Sequence, residues 1–435
     1  MKKILTFALL LISVCMLAAC DTNSGNNETP KEPIALATPV VTVNEDGLAS
    51  WAAVDHASGY IYKIDNGSEK LTTNTSMQLQ NGESIVVKAK GDGKNYTDSA
   101  FSASVTYTVA AEVGIPTPTA GFYMRDADVL QDNNVRYLVY TTNKTVTEED
   151  NVIAIRKAEL TAEGWVYGEE VVVLEGSAEG WDQYIGSASV VKGVFALEGE
   201  TYNYLMAYQA STDADCLASS IGLAVAKEIQ GTWVKVGTSP VIEFNAEEYG
   251  SNMAGCYAPS VVNYNKQSGI RIFYSYADKY GHFAYFWDAN LADLSSIDGD
   301  KAMITTGGNI SDGGAVVMFP NADFAYDSVN GVFYTVKDYN PAASTRPTFA
   351  ERFEVLHIAE EELYTTDAGT GWVSDFLRDD IDLELELNYE RAYSACIVSD
   401  VYGHMLEGNI EVVYNNCKVG NDYLYTQRFL TYIHE

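Results

Sequence analysis

Among side chains able to ligate metals or attack substrates, histidine and cysteine are few and scattered. The five histidines stand at 56, 282, 357, 404 and 434 and form no HExxH or similar cluster, which argues against a zinc hydrolase. Of the six cysteines, Cys15 and Cys20 fall in the first twenty residues. Cys216, Cys256, Cys396 and Cys417 are far apart and lack any metal-type spacing. Cys396 and Cys417 are close enough in sequence to pair across neighbouring strands, the alternative being buried thiols. Aromatic residues are abundant, with 30 Tyr and 6 Trp. Flat rings stack on the C–H faces of pyranoses, so this supply suits sugar binding, although β-sheet cores absorb aromatic residues as well. Carboxylates outnumber cations so far that the formal charge is −33. Nucleic acid and other polyanions are therefore poor partners, because phosphate binding needs a basic face. A neutral ligand such as a glycan fits better.

At the N-terminus, Lys2 and Lys3 precede an apolar run from Ile4 to Leu17, too short for a standard transmembrane span. Leu17-Ala18-Ala19-Cys20 then resembles the lipobox of bacterial lipoproteins. The resemblance implies removal of residues 1–19, acylation of the Cys20 thiol, and display outside the cytoplasm on a membrane surface. Two or three acyl chains, at about 0.8 kcal/mol per buried methylene, make such an anchor effectively permanent. Residues 20–33, with the polar run Asp21 to Glu32, have the composition of a flexible tether. No other apolar run is long enough to span a bilayer, so membrane contact is expected through the lipid only. Cleavage leaves 416 residues with a formal charge of −35, since Lys2 and Lys3 are lost. That length calls for two or three units.

The elements that follow read as strands. Residues 34–112 hold short alternating runs, among them Val40-Thr42, Ala49-Trp51, Tyr60-Ile64, Ile85-Ala89 and Ser104-Tyr107, punctuated by turn residues. That spacing predicts a small β-sandwich. The stretch from Ala49 to Tyr60, with Trp51 and Tyr60, resembles the early strands of fibronectin type III-like modules, and Val86 to Tyr96 resembles their later strand and loop. The resemblance implies a spacer or weak binding module.

Residues 118–435 repeat. Asp126-Ala-Asp-Val-Leu130, Ser187-Ala-Ser-Val-Val191, Ala258-Pro-Ser-Val-Val262, Ala322-Asp-Phe-Ala-Tyr326 and Ser394-Ala-Cys-Ile-Val398 are each followed by a turn and an alternating aromatic strand. With Ala127, Ala188, Ala258, Ala322 and Ala395 as markers, the spacings are 61, 70, 64 and 73 residues. Five such units predict a five-bladed β-propeller. One four-stranded blade cannot bury both faces, whereas five stacked radially bury one another around a central channel. The fold class is thus all-β, a small sandwich followed by the propeller.

Arg125-Asp126-Ala127-Asp128-Val129 with Arg136 to Tyr140, Ser220 to Ala226 with Gly231 to Val236, and Tyr257 to Val261 together resemble the five-bladed propeller glycosidases, such as arabinanases and β-xylosidases. The resemblance spans roughly residues 118–435 and implies hydrolysis of glycosidic bonds. That chemistry needs two carboxyl groups, one to protonate the leaving group and one to activate water. Asp126 falls where the family places its general base, and Asp128, of the same parity, is a substitute. The family's second-blade aspartate is missing from Gly186-Ser-Ala-Ser-Val190, and there is no Glu-Gly-Pro to supply its acid. The nearest acidic candidates are Glu248, beside Glu247, and Asp323, with Asp312 upstream. Trp181, Tyr184 and Tyr257 are candidates for stacking on sugar, and Arg391 and His404 for polar contacts. No cofactor is implied; a channel calcium is compatible with the family, but no acidic loop of recognisable spacing demands one. The expected protein is a monomer that cuts a neutral glycan, or, lacking the acid, one that only holds it.

Overall fold

The computed structural model describes residues 33–434, apart from 45–47, 66, 80–82, 107–114, 116–117, 147, 163, 306–318, 340–351, 365–370, 379–390 and 418–426. The signal, Cys20, the tether and Asp312 lie outside the described residues. The chain divides into two compact units, Met1–Ala111 and Glu112–Glu435.

In the first unit, a three-stranded sheet (Val41–Val43, Leu48–Trp51, Ser76–Gln78) faces a four-stranded one (Lys70–Thr72, Gly59–Ile64, Ser84–Lys90, Val105–Thr106). Ser84–Lys90 alternates buried and half-buried residues strictly, as a strand with one face on a core must. Trp51 meets Tyr60 edge-on at 5.6 Å, and Leu36, Val41, Ala49, Leu79, Ile85, Val87 and Ala89 complete the core. This is the β-sandwich expected from the sequence.

The second unit consists of five antiparallel sheets that run outward in chain order. Blade 1 is Arg125–Asp132, Val135–Thr145, Glu148–Thr161 and Gly164–Glu175; blade 2 is Tyr184–Leu197, Glu200–Ser211, Ser220–Ala226 and Trp233–Lys235. Blade 3 is Gly255–Asn263, Gly269–Asp278, Gly281–Asn290 and Gly299–Met303; blade 4 is Asp323–Asp327, Val332–Tyr339, Arg352–Ala359 and Val373–Arg378. Blade 5 shows three strands among the described residues, Arg391–Ile397, Ile410–Cys417 and Arg428–His434. Each inner strand neighbours the next, and that of blade 5 returns to blade 1, so the ring closes. Every one of the five interfaces has its own apolar cluster. Between blades 3 and 4, for example, Phe273 stacks on Phe324 at 4.0 Å within a core that includes Phe286, Phe333 and Trp372. Full burial of such a side chain contributes about 1.5–3 kcal/mol.

An inner strand has no sheet partner on its channel side, so its backbone N–H groups need other acceptors. The chain meets this need in the same way five times. Asp128 Oδ2 accepts the Val190 N–H at 2.7 Å, Ser189 Oγ that of Val261 at 3.0 Å, and Ser260 Oγ that of Phe324 at 2.9 Å. Asp323 Oδ2 accepts the Ile397 N–H at 2.8 Å, and the Cys396 sulfur accepts that of Val129. Each acceptor serves the following blade, and the fifth serves the first. The circuit also fixes the repeat register. Its members follow Ala127, Ala188, Pro259, Ala322 and Ala395, so the third marker belongs on Pro259, one residue beyond Ala258. Cys396 and Cys417 are both buried and are not joined in a disulfide.

One end of the channel is stoppered by the turn after the blade 5 inner strand. Ser399 and Asp400 pair in parallel with Leu130 and Gln131 of blade 1. The carbonyls of Val401, Tyr402 and Gly403 then accept N–H groups from Lys192, Asn263 and Tyr326 of blades 2, 3 and 4, at 2.6, 2.9 and 3.0 Å. Gly403, at φ 79°, passes so close that a Cβ would stand 2.6 Å from the Val261 carbonyl oxygen.

Candidate active site at the channel mouth

At the opposite end, where the inner strands begin, the backbone kinks. Asp126, Ala258, Asn321 and Ser394 have φ of 56°, 46°, 47° and 47°, left-handed values rare for residues other than glycine. Each stands two residues before its blade's member of the circuit, and register shifts mark bulges here in blades 1, 3 and 5. The kinked segments are braced from the preceding blade by a polar residue near the end of its second strand. Asn415 Oδ1 accepts the Asp126 N–H at 2.9 Å, Asp338 Oδ1 that of Ser394 at 2.7 Å, and Gln209 Oε1 that of Ala258 at 3.4 Å. Ser275 Oγ accepts the Ala322 N–H at 3.4 Å.

This bracing gathers an arc of polar groups from blades 3, 4, 5 and 1. Asp126 Oδ1 accepts the Ser394 hydroxyl at 2.8 Å, and its Oδ2 lies 3.1 Å from Arg125 Nη1. The Asp126 side chain keeps 12% of its surface exposed and that of Arg125 27%, while Asp126 Oδ2 and Arg125 Nε themselves are buried. Burial is the largest single influence and opposes the charge on Arg125, but Asp126 together with Cys216, Tyr123 and Tyr393 outweighs it and holds the guanidinium above its ordinary value. Asp338, by contrast, is buried. Burial pushes its carboxyl up to about 7 against the bonds from Asn321 (2.6 Å) and Ser394; the Asp126 charge adds to the rise and Lys337 opposes it. Tyr257 completes the arc. Burial and the nearby Asp338 charge raise its phenol, against a bond with Ser275.

No protein-family model matches this chain, and no curated protein is similar to it in sequence. Solved structures are similar in layout. An endo-arabinase from Bacteroides thetaiotaomicron is 13% identical, covering 72% of this chain and 95% of its own, with a TM-score of 0.44. An α-L-arabinofuranosidase from Podospora anserina, solved with cellotriose, is 12% identical over 75% of this chain and 95% of its own, with a TM-score of 0.44. A xylan β-1,4-xylosidase from Bacillus halodurans is 11% identical over 72% of this chain and 53% of its own, with a TM-score of 0.45.

The arc holds two of the residues singled out from the sequence, Asp126 and Tyr257. Asp128 and Asp323 lie deeper, in the circuit, with each carboxylate bound to the next blade's backbone. Burial raises both carboxyls, Asp128 further by the charge of Asp323, while Ser189 and Ser260 donate hydroxyls to them. Their geometry is that of ring closure. Glu248 is exposed on a short helix, Ala246–Tyr249, where its N–H is capped by Asn245, and it is not brought to the arc. Trp181 is half-buried and stacks on Tyr208 at 6.0 Å against the apolar cluster between blades 1 and 2. Tyr184 begins the blade 2 inner strand opposite Ser211 and is half-buried. Arg391 pairs through its backbone with Cys417, and its side chain lies outside the described residues. His404 is at the stoppered end, 3% exposed, with Nε2 2.9 Å from the Asn263 carbonyl and burial lowering its pKa. It is remote from the mouth because it belongs to the turn that stoppers the channel. Among the described residues, no group of three or more His, Cys, Asp or Glu is placed to hold a metal ion.

Sequence reasoning passed over Arg125, Asp338, Ser394 and the bracing residues. A signal for them exists. Of the bracing residues, Gln209, Ser275 and Asn415 each directly follow a tyrosine in an alternating strand, and Asp338 occupies the same place after Lys337.

Proposed function

We propose that this protein is a glycoside hydrolase-like protein that receives a neutral glycan at the open end of its channel and cleaves it, with Asp126 as general base. The observation that carries the reading is the setting of Asp126: a carboxylate ion-paired to Arg125 and oriented by Ser394, at the channel end opposite the 399–405 turn. A carboxylate so held is suited to take a proton from water attacking an anomeric carbon. The strong negative charge disfavours polyanionic substrates and leaves neutral polysaccharide fragments. Lipid on Cys20 would display the site outside the cytoplasm, with the first unit as a fibronectin type III-like spacer. The test is sugar release from an arabinan, xylan and fructan panel. The wild type should release sugar and Asp126→Asn should lose at least a hundredfold in kcat; full turnover by the variant refutes the assignment.

A second reading is a protein that binds glycan without cutting it. It is favoured by the occupation of both Asp126 oxygens, one by Ser394 and one by Arg125. Saturable glycan binding by a wild type that releases no sugar would establish it.

A further inference from the structure

Asp338 does a job that needs no charge. At the matching positions of blades 2, 3 and 5, Gln209, Ser275 and Asn415 brace the next blade's N–H with a neutral oxygen. In blade 4 alone of these the acceptor is a carboxyl, 5% exposed and close enough to Asp126 to feel its charge. An amide would accept the same N–H without the burial penalty of an ionisable group. A carboxyl standing where a neutral group suffices, near another carboxyl at the end of the channel where the inner strands begin, points to chemistry.

Its distance from Asp126 is bounded by a shared neighbour. The Ser394 N–H reaches Asp338 Oδ1 at 2.7 Å and the Ser394 hydroxyl reaches Asp126 Oδ1 at 2.8 Å. With both atoms on one serine, the bonded carboxyl oxygens lie at most about 9 Å apart, an upper limit within reach of the roughly 5–9.5 Å that separates the paired carboxyls of glycoside hydrolysis. We propose that Asp338 is the second carboxyl of the site, the proton donor to the departing sugar. The inference rests on the hydrolytic reading above. As the bond from the anomeric carbon to the glycosidic oxygen breaks, that oxygen takes the Asp338 proton. Water bonds to the anomeric carbon and gives a proton to Asp126, and exchange with solvent restores both groups. Bonds from Asn321 and Ser394 leave lone pairs free on each Asp338 oxygen, so the proton has a direction in which to leave.

The experiment compares two substrates of the glycan that the wild type cleaves. One is the oligosaccharide, whose leaving group needs a proton; the other is its 2,4-dinitrophenyl glycoside, whose leaving group does not. Asp338→Asn should lose 10²–10⁴-fold in kcat on the oligosaccharide and stay within about tenfold on the aryl glycoside, and its pH profile should lose the alkaline limb. Asp126→Asn should lose both activities. Asp338→Ser, which copies the Ser275 brace of blade 3, should behave as Asp338→Asn does and covers the case in which the amide variant melts early. Equal losses on both substrates, an unchanged oligosaccharide rate, or a retained alkaline limb would overturn the assignment. If the wild type cleaves and the Asp338 variants are unaffected, only this inference fails. If the wild type cleaves nothing, the hydrolytic reading fails and this one with it.

Discussion

Asp128→Ala should open the internal circuit at one joint. The substitution strips the acceptor from the buried Val190 N–H and from the Ser189 hydroxyl. A buried donor left without a partner costs about 1–3 kcal/mol. The hydroxyl can turn elsewhere and the N–H cannot, so a loss of about 2–4 kcal/mol is expected on the acid side of neutral. For a domain of this size that is a fall of roughly 4–8 °C in melting temperature. Asp128→Asn should behave differently, since its amide oxygen still accepts the Val190 N–H. The sign of its pH dependence follows from the carboxyl it replaces. Burial, then the charge of Asp323, raise Asp128 in the fold, so the folded chain favours the protonated form. That contribution is fully present below the unfolded value near 4 and declines as pH climbs toward the raised folded value. Wild type and Asp128→Asn should therefore melt within about 1 kcal/mol of each other at pH 5, and the variant should become the more stable protein at pH 9. Scanning calorimetry of both variants at the two pH values is the assay. An Asp128→Ala as stable as wild type at pH 5, or an Asp128→Asn whose difference from wild type is the same at both pH values, would refute the reasoning.

The seam between blades 5 and 1 invites a double-mutant test. Arg136 pairs with Glu411 through both carboxylate oxygens, stacks on Trp165 at 4.3 Å and bonds Gln131 at 2.7 Å. Arg136→Met should cost about 3–5 kcal/mol by stranding Glu411, and adding Glu411→Leu should recover most of it; a double variant no better than the single, by calorimetry, argues against the pair. Cys20→Ser should move the protein from the membrane to the soluble fraction, with unchanged melting of both units; membrane retention of the variant would rule out the lipid anchor.

Much of the ring was legible because its joints repeat. A small or acidic residue followed by two apolar positions occurs five times, and the residue that closes each joint lies inside that motif. What each of these residues does was not legible. Asp128 shares the strand parity that made it a candidate base, yet its carboxylate is turned to the neighbouring blade's backbone, a pairing between residues 62 positions apart. Local spacing carries no record of such contacts. Asp338 was invisible for the opposite reason: it sits on a second strand, and it comes near Asp126 only because Ser394 of a third blade bridges them. His404, a candidate for a polar contact by its place in the sequence, lies in the turn at the far end of the channel, a placement set by bonds to other blades that local spacing does not record.

The 399–405 turn bears on the order of assembly. It pairs with strands from all four earlier blades, and it is synthesised after every one of them. Until it arrives, the far ends of those strands keep unpaired amides, and the joint between Cys396 and Val129 cannot form. The first four blades are thus an arc waiting for a keystone that spans some 270 residues of chain from Leu130. Shortening the C-terminus into blade 5 should not peel away one repeat, as it would in a solenoid, but forfeit the cooperativity of the whole ring.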